Sequence, residues 1–260
     1  IIDREKNKKT TLGAYIFDKN IGVDQYLEDE ATLWLLHWKL SSQVSVCSTW
    51  YFCFNELARI SFEKKHLKNA LNKYAKDIVG HEPNETTLTK DIDCFINTYV
   101  LRKGKRGEVN EDSLECPLAE LNLISETTTR GVYEFNIGPK NKLPDQVFLY
   151  ALQDFYINKF KTDDNSRTAF SDASSESNVS TMPPLSLEEI AYGVGSPGRS
   201  FKLDETSLTE RLIRIDETSK GLFNWIDTAG LRQVQIKEFR DPVEILRQYY
   251  SDAQKKKIAA

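Results

Sequence analysis

The chain has 260 residues, 40% of them apolar or aromatic and 28% charged, with a formal net charge of -4. That apolar share supplies a real core and excludes a wholly disordered chain, and the negative balance excludes a global positive field drawing the molecule to nucleic acid or an anionic membrane. Any such binding must come from local patches.

No run approaches the roughly 18 uncharged apolar residues of a membrane span, and Ile1-Ile2-Asp3-Arg4 lacks the regions of a signal peptide. A cytoplasmic protein without membrane contact is expected. A first residue other than Met is expected of a sequence that begins inside a longer product, or of one whose start has been processed. Cys47, Cys53, Cys94 and Cys116 show no C-x-x-C spacing and sit among apolar or aromatic neighbours. Buried thiols are expected, with no zinc set, no disulfide and no cofactor.

Residues 10–23 are rich in β-formers and punctuated by Asn20 and Gly22, which predicts a short strand and turn. From Asp24 to Leu40 the apolar series Leu27, Ala31, Trp34, Leu35, Trp38 has helical spacing, and Leu33, Leu36 and Leu40 fill a second face. This helix should be buried nearly all round. Glu28, Asp29 and Glu30 in its first turns suit the helix dipole. Glu30 and His37 stand two turns apart, but no third ligand follows, so an acidic first turn and a hydrogen-bonded core histidine are expected.

Helices are further predicted over Thr49 to Ile60, Lys65 to Ile78, Lys90 to Leu101 with Thr89 as N-cap, and Val147 to Phe160. A short helix is expected at Cys116 to Leu123 and a strand at Gly131 to Gly138. The loop Arg102-Lys103-Gly104-Lys105-Arg106-Gly107 could set four cations near phosphates. Without interleaved aromatic residues it also reads as a solvated connector.

The Ser-rich polar stretch 161–184 marks a surface loop or linker. Beyond it, Ser186 and Glu189 have capping-box spacing for a helix to Tyr192, Gly193 to Gly198 predicts a turn, and Asp204 or Thr206 caps a second helix through Ile215. Two β-prone runs flank Asp227-Thr228-Ala229-Gly230. Helix, turn, helix, hairpin is the order of a winged helix, whose second helix enters the major groove in DNA-binding versions. Arg199, Lys202, Arg211, Arg214, Arg232 and Lys237 are its candidate phosphate contacts. Asp204, Glu205, Glu210, Asp216, Glu217, Asp227 and Glu238 nearly cancel them unless folding segregates the signs.

The expected architecture is therefore mainly α (α+β). A strand or wing over 1–23, left from a truncated winged helix, precedes a helical core at 24–160, the linker at 161–184, and a winged-helix-like domain at 185–260 ending in a helix.

Gly22 to Asp29, Ala31 to Trp38 and Ser196 to Phe201 together resemble the bacterial family known as domain of unknown function 4007, with further matches at Pro117-Leu118, Leu121 and Thr228 to Gln233. Members typically begin with a segment resembling a helix-turn-helix that contains a Gly-Val-Gly-Lys-Asn-Met type stretch. This sequence lacks that stretch, which fits Thr11 to Phe17 as the remaining wing. The resemblance implies a setting in antiphage defence islands beside genes resembling phosphoadenosine phosphosulfate reductases, which are linked to sulfur (phosphorothioate) modification of DNA. Such a setting implies DNA and protein partners, possible partners including the reductase-like protein, and carries across no catalytic residue.

Three functions remain open: a DNA-binding accessory protein of that system, a protein-interaction adaptor within it, and an enzyme. The last lacks a Gly-rich phosphate loop, a G-x-S-x-G elbow or a histidine pair at ligand spacing.

Overall fold

The computed structural model describes residues 2, 3, 8–101, 116–160 and 182–259. A two-residue antiparallel ladder, β1 (Ile2–Asp3) on β2 (Lys8–Lys9), comes first. The next element, α1 (Thr11–Phe17), is a helix and corrects the expected wing strand. Thr10 Oγ1 accepts the Gly13 N–H at 3.1 Å, an N-cap, and Leu12 and Ile16, one turn apart, are buried on its inner face. Cap and buried face outweigh the weak helix propensities of the β-formers.

The central helix α2 (Glu30–Ser41) starts six residues later than its apolar spacing predicts. The delay has a cause in Asp24, a buried carboxylate that accepts the N–H groups of Glu28 and Asp29 at 2.9 and 3.1 Å. It holds the preceding residues in a loop, and Asp29 itself caps the helix by accepting the Ala31 N–H at 2.9 Å. The helix is buried nearly all round, as expected, with Leu33, Trp34, Leu35, His37 and Trp38 each at most 3% exposed and Leu36 and Leu40 partly buried.

The helix expected to run to Ile60 is shorter. α3 (Ser48–Tyr51) passes into a π-helical turn at Phe52–Glu56, closed by the Leu57 N–H on the Phe52 carbonyl at 2.9 Å. Then follow β3 (Ser61–Glu63), α4 (Lys64–Val79) and α5 (Glu85–Tyr99). Asn84 caps α5 by accepting the Thr86 and Thr87 N–H groups, whereas Thr89, the expected cap, lies inside the helix and donates to the Glu85 carbonyl. A 3-10 turn (Pro117–Leu121), β4 (Ile124–Glu126), β5 (Val132–Phe135) and α6 (Asp145–Phe160) complete this part, with the antiparallel sheet ordered β3-β5-β4.

After the polar stretch come β6 (Leu185–Ser186), α7 (Leu187–Tyr192), α8 (Pro197–Phe201), α9 (Glu205–Ile213), α10 (Ile215–Thr218), the hairpin β7 (Phe223–Thr228) and β8 (Leu231–Ile236), and α11 (Pro242–Ala259). The capping box is formed in both directions: Ser186 Oγ accepts the Glu189 N–H and Glu189 accepts the Ser186 N–H. The hairpin turns at Ala229-Gly230, both with positive φ, which suits the right-handed twist of its strands. The expected helix, turn, helix, hairpin order is present, with α8 inserted where only a turn was predicted. Ser196 Oγ accepts the Arg199 N–H, and Pro197 in the first helical position supplies a ready φ. β6 pairs with β8, giving sheet order β6-β8-β7.

Residues on both sides of the polar stretch share one apolar cluster, from Leu12 to Tyr250. α11 crosses back onto the first part, where Tyr250 bonds Thr32 at 2.8 Å and the Arg240 carbonyl accepts from Gln153 at 2.7 Å. Of the four cysteines expected to be buried, Cys53 is, Cys47 and Cys116 are partly so, and Cys94 is exposed. Trp38, fully buried, also donates Nε1–H to Asp154 at 2.8 Å. Trp38→Ala should lower stability by about 3–5 kcal/mol in urea unfolding through the cavity it leaves; an unchanged midpoint would contradict this packing.

Candidate nucleic-acid interface

Six cations of the C-terminal part are candidate phosphate contacts, and folding sends them to different places. Arg199 turns inward and its Nη1 donates to the Asn55 carbonyl. Lys202 does the same one carbonyl earlier, with Nζ 2.7 Å from the Phe54 oxygen and over the Phe135 ring at 4.2 Å and the Phe54 ring at 5.3 Å. Burial, and secondly the Arg199 guanidinium, push the Lys202 ammonium down to about 7. Arg211 is 8% exposed and spans α9 to the start of α6, with Nη1 on Asp145 at 2.5 Å and Nη2 on the carbonyls of Lys140 and Leu143 at 2.7 and 2.9 Å.

Arg214, Arg232 and Lys237 stay at the surface. Arg214 is about half exposed, with Asp145 at 3.4 Å. Arg232 lies between Glu205 at 3.5 Å and Asp227 at 3.9 Å and donates to Thr209 at 3.1 Å, so the acids that would have to point away stand beside it. Lys237 is exposed. Arg102, Lys103, Lys105 and Arg106 lie outside the described residues. The outward residues of α9, in the position of a groove-reading helix, are Glu205, Thr206, Glu210 and Ile213, while Leu208, Arg211 and Leu212 face in. That face carries two carboxylates and no cation.

What the inward cations build is a latch. The π-helical turn ends with backbone carbonyls that lack helical donors, and two cations at its C-terminal end satisfy them where the dipole favours positive charge. Asn55, 1% exposed, accepts the Gly195 N–H at 3.0 Å on Oδ1 and donates to the Ser41 and Tyr51 carbonyls at 2.7 and 3.1 Å. Gly198 lies so close to α7 that a Cβ would stand 2.4 Å from the Ala191 carbonyl oxygen. The Ser200 carbonyl accepts from His37 Nε2 at 2.8 Å, and His37 Nδ1 takes the Tyr99 hydroxyl at 2.8 Å. Burial pushes His37 down to about 3, so it stays neutral in the tautomer this pairing needs. Glu30, its suggested partner, bonds Lys142 instead. Phe201 closes the latch against Trp34 and Trp38, with ring centroids 5.7 and 5.6 Å apart.

Residues 1–250 match the family described as protein of unknown function, DUF4007. The chain belongs to that family. No curated protein matches it. Among solved structures it is similar to one titled "SspB crystal structure", with a TM-score of 0.75 and 25% identity, covering 96% of this chain and 70% of that one. A second, "Magnesium ion-bound SspB crystal structure", has a TM-score of 0.72 and 26% identity, covering 92% of this chain and 65% of that one.

In this DUF4007 protein two of the three runs that carry the resemblance, Ala31 to Trp38 and Ser196 to Phe201, are packed on each other at the latch. Among the described residues no group of three or more His, Cys, Asp or Glu is arranged to hold a metal ion, and no helix is long and apolar enough to cross a membrane. Sequence reasoning missed Asn55 and Asp145. The only trace of either in sequence is an Asn inside an apolar aromatic run, where an unpaired amide would be costly. Arg211→Ala should destabilise by about 3 kcal/mol, because it removes the close ion pair to Asp145, leaving only Arg214 at 3.4 Å, and takes the donor from the buried Leu143 carbonyl. Arg214→Ala should cost under about 1 kcal/mol. Equal losses on chemical unfolding would contradict the division into inward and outward cations.

Proposed function

We propose that this DUF4007 protein is a DNA-binding accessory component of a DNA sulfur-modification system that serves antiphage defence. The observation that carries the reading is the likeness to SspB structures over 96% of the chain at 25% identity, which fits a phosphorothioation-system protein. The β6-α7-α8-α9-α10-β7-β8 order supports it, because a strand, helices and an antiparallel hairpin in this sequence suit docking of a winged helix on a duplex. Since Arg199, Lys202 and Arg211 serve the interior, the contact would fall to Arg214, Arg232 and Lys237, with Arg102, Lys103, Lys105 and Arg106 as further candidates from the sequence alone.

A second reading, a protein-interaction adaptor in the same system, is favoured by the outward face of α9. Two carboxylates beside Ile213, 62% exposed, suit a basic protein partner better than a phosphate backbone. The phosphoadenosine phosphosulfate reductase-like protein implied by the family's setting is the candidate partner.

A duplex titration at several salt concentrations separates the two. Contacts of the first kind are electrostatic, so affinity should fall steeply with salt, and Arg214→Ala and Lys237→Ala should each flatten the log-log slope by roughly one unit. Sequence preference should change little, because phosphate contacts position without reading bases. Binding that is absent or insensitive to salt would discard the DNA reading in favour of the adaptor.

A further inference from the structure

A cleft of about 320 Å³ opens beside the latch, between the last turns of α6 and the loop from α7 to α8. Tyr51 forms one wall and Phe155 another, the backbone of Gly193 to Gly195 closes a third side, and Asn158 and Lys159 stand on α6. Four buried side-chain atoms among the described residues have no hydrogen-bond partner, Trp34 Nε1, Trp50 Nε1, Ser200 Oγ and Ser42 Oγ, and of these residues only Ser42 lines the cleft. Ser42, 9% exposed, lines the cleft, and its Oγ is buried with no hydrogen-bond partner. A hydroxyl left unpaired in a folded interior costs free energy, and a polar ligand atom arriving in the cleft would remove that cost.

Gly195 keeps the opening clear. Its φ of +78° suits glycine, and a Cβ there would sit 3.6 Å from the Ser42 carbonyl oxygen and 3.9 Å from Tyr51 Cε2, between two lining groups. The cleft's chemistry is that of aromatic walls with a few convergent polar groups: a hydroxyl, the exposed amide of Asn158, and the Lys159 ammonium, which is paired with Glu189.

We infer that this cleft receives a single unstacked nucleobase. A base offers a π face to an aromatic wall and a polar edge to a hydroxyl and an amide, while its phosphate would meet Lys159. The volume is at the lower end of ligand sites, which suits one nucleotide. The inference rests on the DNA-binding reading for the source of the base, a nucleotide displaced from a duplex; a free mononucleotide carries the same chemistry.

The test uses the full chain and three DNA duplexes: fully paired, with one unpaired adenine bulge, and with the same bulge made abasic. The adenine bulge should bind about tenfold more tightly than the abasic bulge, the scale of one base–aromatic stack. Asn158→Trp, which fills the cleft from an exposed position, should bring that ratio to about one, and Ser42→Ala should lower it. A second arm titrates deoxyadenosine monophosphate calorimetrically against wild type and Asn158→Trp. Equal affinity for both bulges with no nucleotide heat would overturn the cleft while paired-duplex binding left the DNA reading standing. Nucleotide binding lost in Asn158→Trp, without binding to any duplex, would support the cleft with a free nucleotide as ligand and sink the DNA reading.

Discussion

The amide of Asn55 is the interaction on which the rest of the structure depends. It lies at the end of the π-helical turn, buried, and joins three segments: the end of α2 through Ser41, the turn's own start through Tyr51, and the loop before α8 through Gly195. Its backbone carbonyl takes Arg199 and the one before it takes Lys202. A buried amide with both ends satisfied fixes register and orientation in a way that apolar contacts alone do not, and any one partner removed leaves others orphaned. Phe201, His37 and the two tryptophans then pack around a segment whose position is already set.

This latch reorders the meaning of the charged residues. A Ser-Pro-Gly-Arg turn carrying two cations resembles a phosphate contact when only the sequence is considered, but here both cations end on backbone carbonyls. Lys202 in particular is enclosed by two aromatic rings, and its lowered ammonium pKa reflects that enclosure. Its folded-state pKa lies below the usual lysine value, so its stability contribution rises as pH climbs from about 7 toward the unfolded value, where the unfolded chain still holds the proton. Of the six candidate contacts three stay outward, and two of these, Arg214 and Arg232, stand beside acids. DNA engagement under the proposed function would therefore depend on a small set of contacts and on the cleft beside Gly195.

Local patterns were legible where one element decides its own fate. The all-round burial of α2, the Ser186–Glu189 capping box, the Asp204 cap and the Ala229-Gly230 hairpin each rest on residues within a turn or two of one another. The mainly helical α+β class followed from them. Two local features, the Thr10 cap and the Asp24 loop, were nonetheless misread, and features set by distant partners were not legible. The strand expected at Thr11 to Phe17 is a helix because Thr10 caps it and Ile16 is buried in the common core, and α2 starts late because Asp24 holds the loop before it. Arg199 has its partner 144 positions away in sequence, and Arg211 and Asp145 are 66 apart, so neither spacing nor charge pattern could reveal that these cations face inward.

The most direct measurement is amide hydrogen exchange on Asn55→Ala beside the wild type. Three groups lose the Asn55 side chain as partner in that variant, the Gly195 N–H and the Ser41 and Tyr51 carbonyls, so a loss of about 2–3 kcal/mol is predicted. It should appear as reduced protection in α2, in α8 and in the β7–β8 hairpin together, because the latch couples both parts of the chain into one cooperative core. Loss of protection confined to the π-helical turn, with α8 and the hairpin unchanged, would contradict the account.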